Sequence, residues 1–319
     1  MEFLKLNISS LTAQQLSRME EMEQNCGLEP FSREMLLESV AQMDTFALLD
    51  GVEIMGFITL HPSTRYLGGG VYVVNLNVAQ EYRRQGVATR LILGGCSAYA
   101  MTHGQKRVTL DVRKDNFAAL SLYHKLGFTV TEEPSGNGDT DVVMAISMKN
   151  LLGIVSTPRL MLKRMTALDA YEGIRILRDD RVNRTYMVPD LTLEDAGKLY
   201  DRFCILSADT SRYIRGIYLE NKLIGFLNDQ EITDGGIELG WVVDPEYQNH
   251  GFATEAVTHA ICDLFSKGYV EITAGAFLDN AASIRVMEKC GMQLQDKTEE
   301  IEYRGKNHQC VFYSIRRLS

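Results

Sequence analysis

The chain has 319 residues, a formal net charge of -9 at pH 7 and a sequence pI near 5.3. This acidic balance argues against a nucleic-acid-binding protein, which normally carries a clustered basic surface. With 45% hydrophobic and 24% charged residues, the composition is that of a globular protein, and the length predicts two domains of about 150 residues each.

The N-terminal segment, MEFLKLNISS, lacks the basic start and long apolar run of a signal peptide, and no run of about 18 apolar residues follows it. We therefore expect a cytoplasmic protein with no membrane partner and no nucleic-acid partner. The six cysteines form no CxxC pair, and no His/Cys spacing matches a zinc site. We expect reduced thiols and no bound metal.

The first half of the chain alternates between strand and helix patterns. Ser9 and Ser10 are candidate caps for the first helix, Asp50-Gly51 predicts a hairpin turn, and Gly104 and Gly127 are predicted helix ends. The predicted elements, in chain order, are the strand FLKLNI, the helices LTAQQLSRMEEMEQ and SREMLLESVAQM, the strands TFALLD, EIMGFITLH and VYVVNLNVAQ, the helix ATRLILGGCSAYAMTHG, the strand KRVTLDVR, the helix NFAALSLYHKLG, and the strands FTVTEE and DVVMAISMK.

The second half repeats this order, with a hairpin predicted at Glu220-Asn221. Its predicted elements are the strand RLMLKRM, helices between 168 and 206, the hairpin RYIRGIYLENKLIGFLND, the strand GIELGWVVD, the helix ATEAVTHAICDLFSKG, the strand YVEITAGAF, the helix AASIRVMEKCG, and terminal strands that include QCVFYSIRR. In each half a helix crosses between two strands, so those two strands should be parallel.

Two sequence matches between the halves indicate a duplicated domain. YRRQGVATRL, from Tyr82, resembles YQNHGFATEA, from Tyr247, and NFAALSLYHKLGF resembles NAASIRVMEKCGM about thirty residues further on. NLLGIVSTPRLMLKRM contains small and turn-forming residues between the copies. We therefore predict an N-terminal domain at 1–152, a linker at 153–159 and a C-terminal domain at 160–319.

The glycine turns predict anion sites. A strand that enters a helix through Arg83-Arg84-Gln85-Gly86-Val87-Ala88 leaves free N–H groups at the positive end of a helix dipole. The glycine alone has a steric explanation, and the arginines have an alternative as a solvated surface pair. No GxxxxGK[ST] motif is present, and no GxGxxG follows a strand, so a P-loop or a dinucleotide-binding fingerprint is not supported.

Together, the motif [Q/R]-x-x-G-x-[G/A] between strand and helix, followed by N-x-x-A-x-x-L-Y-x-K-x-G-F, resembles the GNAT superfamily of acetyl-CoA-dependent N-acetyltransferases. The first copy resembles the RimI type, which acetylates protein N-termini, and the second resembles the RimJ/RimL type. The resemblance implies a tandem pair of mixed α/β acyl-CoA N-acyltransferase domains, each a twisted mixed sheet flanked by helices. It also implies acetyl-CoA as the co-substrate.

The resemblance implies that backbone groups of the glycine turns hold the pyrophosphate and that exposed strand backbone holds the pantetheine arm. Asn116 and Asn280 would contact the cofactor, although both also fit simple helix caps. The implied cofactor-binding residues are Leu76, Asn77, Val78, Arg83, Arg84, Gln85, Gly86, Val87, Ala88 and Asn116 in the first copy, and Trp241, Val242, Val243, Gln248, Asn249, His250, Gly251, Phe252, Ala253 and Asn280 in the second.

Tyr123 and Asp111 are the catalytic candidates of the first copy. Tyr123 stands at the position of the general acid in RimI-like sequences, and Asp111 stands at the position of their glutamate base. Because aspartate is one methylene shorter, a water relay to the amine is expected. The alternatives are a tyrosine that covers the edge of the core and a solvated carboxylate at a strand end.

In the second copy Met287 and Gly275 replace that pair. Glu238 is a candidate base there and Ser283 a candidate donor to sulfur, with strand pairing and helix capping as alternatives. The acceptor is expected to be a primary amine on a protein N-terminus or a small molecule. A cationic acceptor could be attracted by Glu20, Glu21, Glu23 and Asp44, although such charge runs are usually solvated helix faces.

Three readings of the duplication stay open. The first copy could be catalytic while the second is either catalytic on another amine or shapes the acceptor cleft. One or both copies could instead only bind acyl-CoA. The second copy could also replace the partner subunit that many such domains use, so the chain is expected to be a monomeric pseudo-dimer or a homodimer.

Overall fold

The computed structural model describes residues 1–26, 30–63, 70–104, 106–132 and 140–317. The chain divides into two compact units. The first consists of Met1–Leu152 with Thr166–Leu168 and Ala208–Thr210, and the second of Gly153–Met165, Asp169–Ser207 and Ser211–Ser319. In the part of the chain that is described, no helix has the length and apolar character that crossing a bilayer requires.

The first unit is a mixed sheet with helices on both faces. Its strands are β1 (Glu2–Lys5), β2 (Asp44–Asp50), β3 (Glu53–Ser63), β4 (Gly70–Val78), β5 (Arg107–Arg113), β6 (Thr129–Glu132) and β7 (Asp141–Ser147). Its helices are α1 (Ala13–Gln24), α2 (Arg33–Gln42), α3 (Val87–His103), α4 (Phe117–Leu126) and α5 (Met148–Leu152). The strand order is β1-β2-β3-β4-β5-β7-β6, and β4 and β5 form the parallel pair, as predicted.

The two faces of this sheet are covered by different helices. Helices α1 and α2 pack on the face that carries Ala47, Leu49 and Phe57. Helix α3 covers the opposite face, where a Cβ on Gly95 would lie 3.0 Å from Ile58. Glycine in α3 thus lets the helix approach the sheet closely, so α1 and α3 reach β4 from opposite faces.

Helix ends in the first unit follow the sequence with one exception. Gly104 and Gly127 end α3 and α4 in the left-handed conformation, as predicted. The prediction of Ser9 and Ser10 as caps of α1 is wrong. Thr12 is the cap, because its hydroxyl accepts from the N–H of Gln15 at 3.2 Å while the Gln15 side chain accepts from the N–H of Thr12 at 3.0 Å.

The second unit repeats the arrangement with a longer sheet. Its strands are β8 (Val155–Ser156), β9 (Leu160–Lys163), β10 (Arg215–Leu219), β11 (Lys222–Ile232), β12 (Gly236–Val243), β13 (Glu271–Phe277), β14 (Gln293–Tyr303) and β15 (Lys306–Arg316). Its helices are α6 (Ala170–Leu177), α7 (Asp180–Asn183), α8 (Leu193–Ser207), α9 (Phe252–Ser266) and α10 (Ala281–Lys289). The order is β14-β15-β13-β12-β11-β10-β9-β8, and β12 and β13 are parallel. Strand β8 lies inside the stretch 153–159 and pairs with β9.

In both units the two parallel strands separate before they end. Strands β4 and β5 pair only at Val71 with Val108 and at Tyr72 with Thr109, although β4 continues to Val78. Strands β12 and β13 pair from Gly236 to Glu238, although β12 continues to Val243. The last part of each strand therefore turns one backbone edge toward an opening in the sheet, directly before the glycine turn.

Candidate functional site

The two glycine turns have the same backbone conformation. The first loop, 83–86, follows a 3-10 turn and has positive φ angles of 62° at Arg84 and 78° at Gly86. The second loop, 248–251, also follows a 3-10 turn and has φ angles of 64° at Asn249 and 79° at Gly251. Because a non-glycine residue rarely adopts a positive φ, its repetition at Arg84 and Asn249 marks a specific loop shape rather than a loose connection.

The helices behind these loops begin without a side-chain cap. Gly86 and Gly251 stand at the N-cap positions of α3 and α9, where they provide no side-chain hydrogen bond. By contrast, side chains cap α1, α2, α4 and α10. The first N–H groups of an α-helix have no partner within the helix. Both loops therefore present unsatisfied donors at the positive end of a helix dipole, which suits a phosphate group.

A side chain at the start of each loop ties it to the preceding strand. Arg83 donates from Nε to the carbonyl of Val78 at 3.1 Å, and Gln248 donates from Nε2 to the carbonyl of Val243 at 2.9 Å. Gln85 donates to the carbonyl of Glu81 at 2.7 Å. These side chains hold the loop backbone in shape, a role that the sequence pattern did not indicate for Arg83 or Gln248.

His250 is also engaged within its own loop. Its Nδ1 lies 2.7 Å from the carbonyl of Gln248, and its ring stacks on Phe252 with 5.8 Å between ring centroids. Arg159 donates to the carbonyl of His250 at 3.0 Å and pairs with Glu255 at 2.6 Å. Arg159 thus brings a positive charge beside the second loop, and no motif in the sequence identified it.

The first loop borders a cavity of about 1020 Å³, here called the first cleft. The opening between β4 and β5 and the helices α1 and α4 provide its other walls. Predicted residues that line it are Leu76, Asn77, Val78, Arg83, Arg84, Gly86, Val87, Ala88, Asp111, Asn116 and Tyr123. Residues that are far apart in the sequence therefore meet around one space.

Tyr123 lies at the wall of the first cleft, on the buried side of α4. Its side chain is only 7% exposed, and its ring packs against Phe128 with 5.6 Å between centroids. Burial raises the pKa of the Tyr123 hydroxyl to about 12. The phenol therefore stays protonated at any physiological pH and can act as a hydrogen-bond donor.

Asp111 faces the same cleft from β5. Its side chain is exposed, and the hydroxyl of Tyr72 donates to Oδ2 at 3.0 Å. Tyr72 stands at the last paired position of the parallel strands, so this bond crosses the point where the strands separate. The carboxylate is held in place while it remains in contact with water, which suits proton transfer through a water molecule.

Glu23 places a second carboxylate at the first cleft. It lies on the last turn of α1 and is 2% exposed. Its Oε1 accepts hydrogen bonds from the amides of Asn75 and Asn77, the latter at 2.6 Å, and its Oε2 accepts from the N–H of Phe31 at 3.2 Å. Burial raises the pKa of the Glu23 carboxyl, and these hydrogen bonds act against that rise.

The acidic residues that were grouped in the sequence are separated by the fold. Glu20 pairs with Arg33, Glu21 pairs with Arg18 at 2.6 Å, and Asp44 pairs with Lys5 and, at 3.0 Å, with His103. Only Glu23 of the four borders the first cleft. Of these four carboxylates, only Glu23 is therefore placed where it could contact a molecule in the first cleft.

Asn116 and Asn280 cap the helices that they precede. Asn116 accepts from the N–H of Ala119 at 3.1 Å, and Asn280 accepts from the N–H of Ser283 at 3.2 Å. Both also line a cavity. Ser283 in turn accepts from the side-chain amide of Asn280 at 3.0 Å, so its hydroxyl hydrogen stays available for another acceptor.

The second loop borders a cavity of about 630 Å³, here called the second cleft. Predicted residues that line it are Trp241, Val242, Val243, Gln248, Asn249, Gly251, Phe252, Ala253, Asn280 and Ser283. Met287, at the position of Tyr123, is fully buried in the core behind it. Three cations, Arg181, Arg285 and Lys289, also line this cleft.

The charges of the two clefts differ. The first is lined by the cations Arg83, Arg84, Arg113 and Lys125 and by the carboxylates Glu23, Asp111 and Asp141. Among the described residues that line the second cleft there are cations but no carboxylate. The second cleft therefore suits an anion, whereas the first presents both cations and carboxylates.

Glu238 lies outside the lining of the second cleft, at the point where β12 and β13 separate. By strand pairing it corresponds to Tyr72, because Tyr72 pairs with Thr109 and Glu238 pairs with the equivalent Thr273. Gly275 corresponds to Asp111. A Cβ on Gly275 would lie 3.6 Å from Oε1 of Glu238. The second unit thus carries its carboxylate on the neighbouring strand, close to the space that Asp111 fills in the first.

A β-bulge on a different strand in each unit explains why the difference in residue number between Tyr72 and Glu238 exceeds by one the difference between the two glycine turns. In the first unit the register of β3 and β4 shifts between Thr59 and Leu60, so β4 contains one extra residue, Val74. In the second unit the shift lies between Asp229 and Glu231, so the extra residue, Gln230, is on β11. The difference in residue number between corresponding positions of β4 and β12 is therefore larger by one before the bulge than after it.

The surroundings of Glu238 are acidic. Burial raises the pKa of its carboxyl, Lys297 opposes the rise, and Glu231 and Glu299 add to it. Phe312 closes the adjacent space, since a Cβ on Gly275 would lie 2.9 Å from its ring. Among the described residues, no group of three or more His, Cys, Asp or Glu side chains is arranged to hold a metal ion.

Comparison with known proteins finds matches in both halves. Residues 15–128 match the model described as "Acetyltransferase (GNAT) family", and residues 159–293 match the model described as "Acetyltransferase (GNAT) domain". The chain is 28% identical over 169 residues to the uncharacterized N-acetyltransferase YoaA of Bacillus subtilis, a match that covers 51% of this chain and 96% of YoaA. It is 31% identical over 106 residues to N-alpha-acetyltransferase 30 of Schizosaccharomyces pombe, covering 31% of this chain and 68% of that protein.

Other curated relatives are matched over a smaller part of their length, 24% to 34%. Among solved structures, an acetyltransferase of the GNAT family from Bacillus anthracis is similar with a TM-score of 0.46 and 23% identity. That similarity covers 51% of this chain and 98% of the other.

Proposed function

The chain belongs to the GNAT acetyltransferase family in both of its halves, and on this premise we propose that the first cleft is its main catalytic site. There an acetyl group passes from acetyl-CoA to a primary amine, either the α-amine of a protein or the amine of a small molecule. The observation that supports this best is that the first loop, the separated end of β4, Tyr123 and Asp111 border one cavity.

Acetyl-CoA fits the groups that the first cleft presents. The uncapped N–H groups that follow Gly86 suit the pyrophosphate, and the unpaired backbone edge of Leu76–Val78 suits the amides of the pantetheine arm. Arg84 and Lys125 add positive charge for the phosphates. Acetyl-CoA supplies the thioester that is to be cleaved.

Tyr123 is proposed to stabilise the departing sulfur. With a pKa of about 12 against about 8.5 for a thiol, complete transfer of its proton to a free thiolate is uphill by about 5 kcal/mol. Tyr123 therefore acts mainly by donating a hydrogen bond from Oη to negative charge as it develops on the sulfur. Such a donor is most effective in a site that excludes water.

Asp111 is proposed to accept the proton that the amine must lose. An α-amine has a reference pKa near 8 and a lysine amine one near 10.4, so deprotonating lysine at neutral pH costs about 3 kcal/mol more. A carboxylate that acts through water is adequate for the α-amine. Tyr72 orients this carboxylate through its 3.0 Å hydrogen bond.

For the second cleft we propose acyl-CoA binding with little or no turnover. Its lining contains Arg181, Arg285 and Lys289 but no carboxylate among the described residues, and Met287 replaces the tyrosine. Val242, Gly251 and Asn280 line it at the positions that correspond to the cofactor-binding residues of the first cleft. Glu238 and Ser283 are the groups that would serve as base and sulfur donor if this half proved active.

Release of coenzyme A, detected with a thiol reagent, tests the proposal. Wild type, Tyr123→Phe, Glu238→Gln and the double variant are assayed with a panel of tetrapeptide amides and small primary amines. We expect turnover that Tyr123→Phe lowers about 100-fold and Glu238→Gln leaves intact. A protein that binds acetyl-CoA tightly by calorimetry but releases no coenzyme A with any amine would contradict the catalytic assignment.

A further inference from the structure

A buried carboxylate and two amides form a compact group at the first cleft. Glu23 is 2% exposed and Asn77 is 5% exposed, yet both border the cavity. Asn75 and Asn77 stand two residues apart on β4, so their side chains lie on the same face of the strand, toward α1. Both amides donate to the same oxygen, Oε1 of Glu23.

The hydrogen bonds of this group join α1 to β4 and to Phe31, but a buried carboxylate is a costly way to make such a link. Burying a carboxylate costs several kcal/mol unless it is fully compensated, and apolar residues often stabilise a core better than buried charges do. The equivalents of Asn75 and Asn77 on β12 are Gly240 and Val242. The same strand therefore forms in the second unit without the two amides, and the polar group is a feature of the first cleft alone.

Opposite charges reach the first cleft from the first loop and from α1. The cations Arg83 and Arg84 come from the first loop, whereas Glu23 comes from α1 and Asp111 from β5. Among the described residues, Glu23 accepts three hydrogen bonds, all from neutral donors, which leave its negative charge in place when it is ionised. A carboxylate accepts about four hydrogen bonds, so within that part of the chain one acceptor site remains for a charged donor.

The geometry points to Glu23 as the carboxylate that binds the acceptor in the first cleft, as the protonated amine before it is deprotonated. Asn75 and Asn77 hold its Oε1 in position by donating hydrogen bonds to it. The carboxylate can still accept a hydrogen bond from the N–H of an ammonium group. This inference rests on the proposed function, because it concerns the acceptor of the same reaction. It adds that the acceptor enters as a primary ammonium ion.

The proton balance follows from this arrangement. The ammonium pairs with Glu23, loses one proton through water to Asp111, and attacks the acetyl carbon as the neutral amine. The new C–N bond forms as the C–S bond breaks, and the sulfur leaves as a thiolate stabilised by a hydrogen bond from Tyr123. The nitrogen then loses its second proton, which is transferred to the thiolate and gives the thiol of coenzyme A. Glu23 is therefore a binding residue, and its loss should affect the amine more than acetyl-CoA.

Steady-state kinetics of Glu23→Gln tests this role, because glutamine keeps the size of the side chain and removes its charge. The acceptor is the tetrapeptide amide that gives the highest rate with wild type. Glu21→Gln is the matched control, since Glu21 lies on the same helix, carries the same charge and pairs with Arg18 away from the cleft. Glu23→Asp keeps the charge with a shorter reach.

We expect Glu23→Gln to raise the KM for the peptide amide about tenfold, with the KM and the calorimetric Kd for acetyl-CoA within about twofold of wild type. Glu23→Asp should recover part of this loss, and Glu21→Gln should match wild type. Asn77→Val, which installs the residue of the second unit, should raise the KM for the amine by a smaller factor.

Two results would overturn the inference. One is an unchanged KM for the amine in Glu23→Gln while wild type turns over normally, which leaves the proposed function standing. The other is an equal loss of acetyl-CoA affinity together with a fall in melting temperature, which would show a structural role. Absence of turnover in wild type would instead be a failure of the proposed function, so the two failures can be told apart.

Discussion

In both halves of the molecule a strand separates from its parallel neighbour and enters a helix through a loop whose left-handed residues stand at the same two positions. The side chains around these two openings have diverged. The first cleft has a buried tyrosine and three carboxylates. The second has a buried methionine, and the charged residues in its described lining are all cations. The backbone that suits a phosphate is present in both copies, whereas the buried tyrosine and, among the described residues, the carboxylates that line a cleft are present in the first copy.

This comparison shows which part of the site depends on the backbone and which on side chains. Anion binding at a helix N-terminus uses N–H groups, so Arg83-Arg84-Gln85 and Gln248-Asn249-His250 can provide it equally well. Stabilising a departing sulfur and receiving a proton require particular side chains at particular places. Anion binding and proton transfer can therefore be separated by substitutions at Tyr123 and Met287, at Asp111 and Gly275, and at the glycines of the two loops.

The largest effect is expected at the tyrosine. Tyr123→Phe removes the only hydroxyl of that side chain and should lower kcat about 100-fold, the lower end of the range for a group that donates in the transition state. Met287→Leu, the matched change in the second unit, conserves volume in a buried core and should leave activity within about twofold. Rates of coenzyme A release at saturating acetyl-CoA measure both. A large loss in Met287→Leu alone would reverse the assignment of the active half.

The second effect tests whether a carboxylate on β4 can replace the carboxylate on β5. Asp111→Gly copies the second unit and should lower kcat about 30-fold, because a base acting through water contributes less than one in direct contact. Adding Tyr72→Glu, which copies Glu238, should restore most of that loss, since a carboxylate returns to the same space. Tyr72→Glu alone is the control for the loss of the hydrogen bond to Asp111. A double variant that is no better than Asp111→Gly would show that the two carboxylates are not equivalent.

The third effect concerns the shared backbone. Gly86→Ala and Gly251→Ala force a side chain onto φ angles of 78° and 79° and should each reduce the free energy of unfolding by about 1 kcal/mol. Each should also weaken acetyl-CoA binding at its own cleft. Gly104→Ala is the matched control, because its φ angle is 65° and open space surrounds it at the far end of α3. It should lose similar stability in denaturant titrations and bind acetyl-CoA normally in calorimetry.

The smallest effect concerns pH. Because the pKa of Tyr123 is raised to about 12, its hydroxyl keeps its proton as the pH increases and would lose it only near pH 12. The ratio of kcat for wild type and Tyr123→Phe should therefore stay constant between about pH 7 and 10. Parallel pH profiles of the two proteins provide the measurement. A ratio that declines from about pH 9 would mean that the hydroxyl is far more exposed to water than in this structure.

Much of the fold could be predicted from short-range patterns. The glycines at 86, 104, 127 and 251 stand where the structure has positive φ angles, and the crossing helices gave the correct parallel pairs. The cap of α1 was mistaken, because Thr12 with Gln15 forms a capping box one turn beyond the serines. Neighbouring polar residues compete for such positions, and their sequence alone does not decide among them.

The sequence by itself determined the duplication, the two glycine turns for which anion binding is predicted, and the unequal pair Tyr123 and Met287, because each depends on residues close together in the chain. Tertiary structure alone decided what surrounds those turns. It brought Glu23 to Asn75 and Asn77 across more than fifty residues, and it put Glu238 beside Gly275. Contacts of this kind depend on strand register and on one bulged residue, and a single shift in register reverses the face on which every side chain of a strand lies.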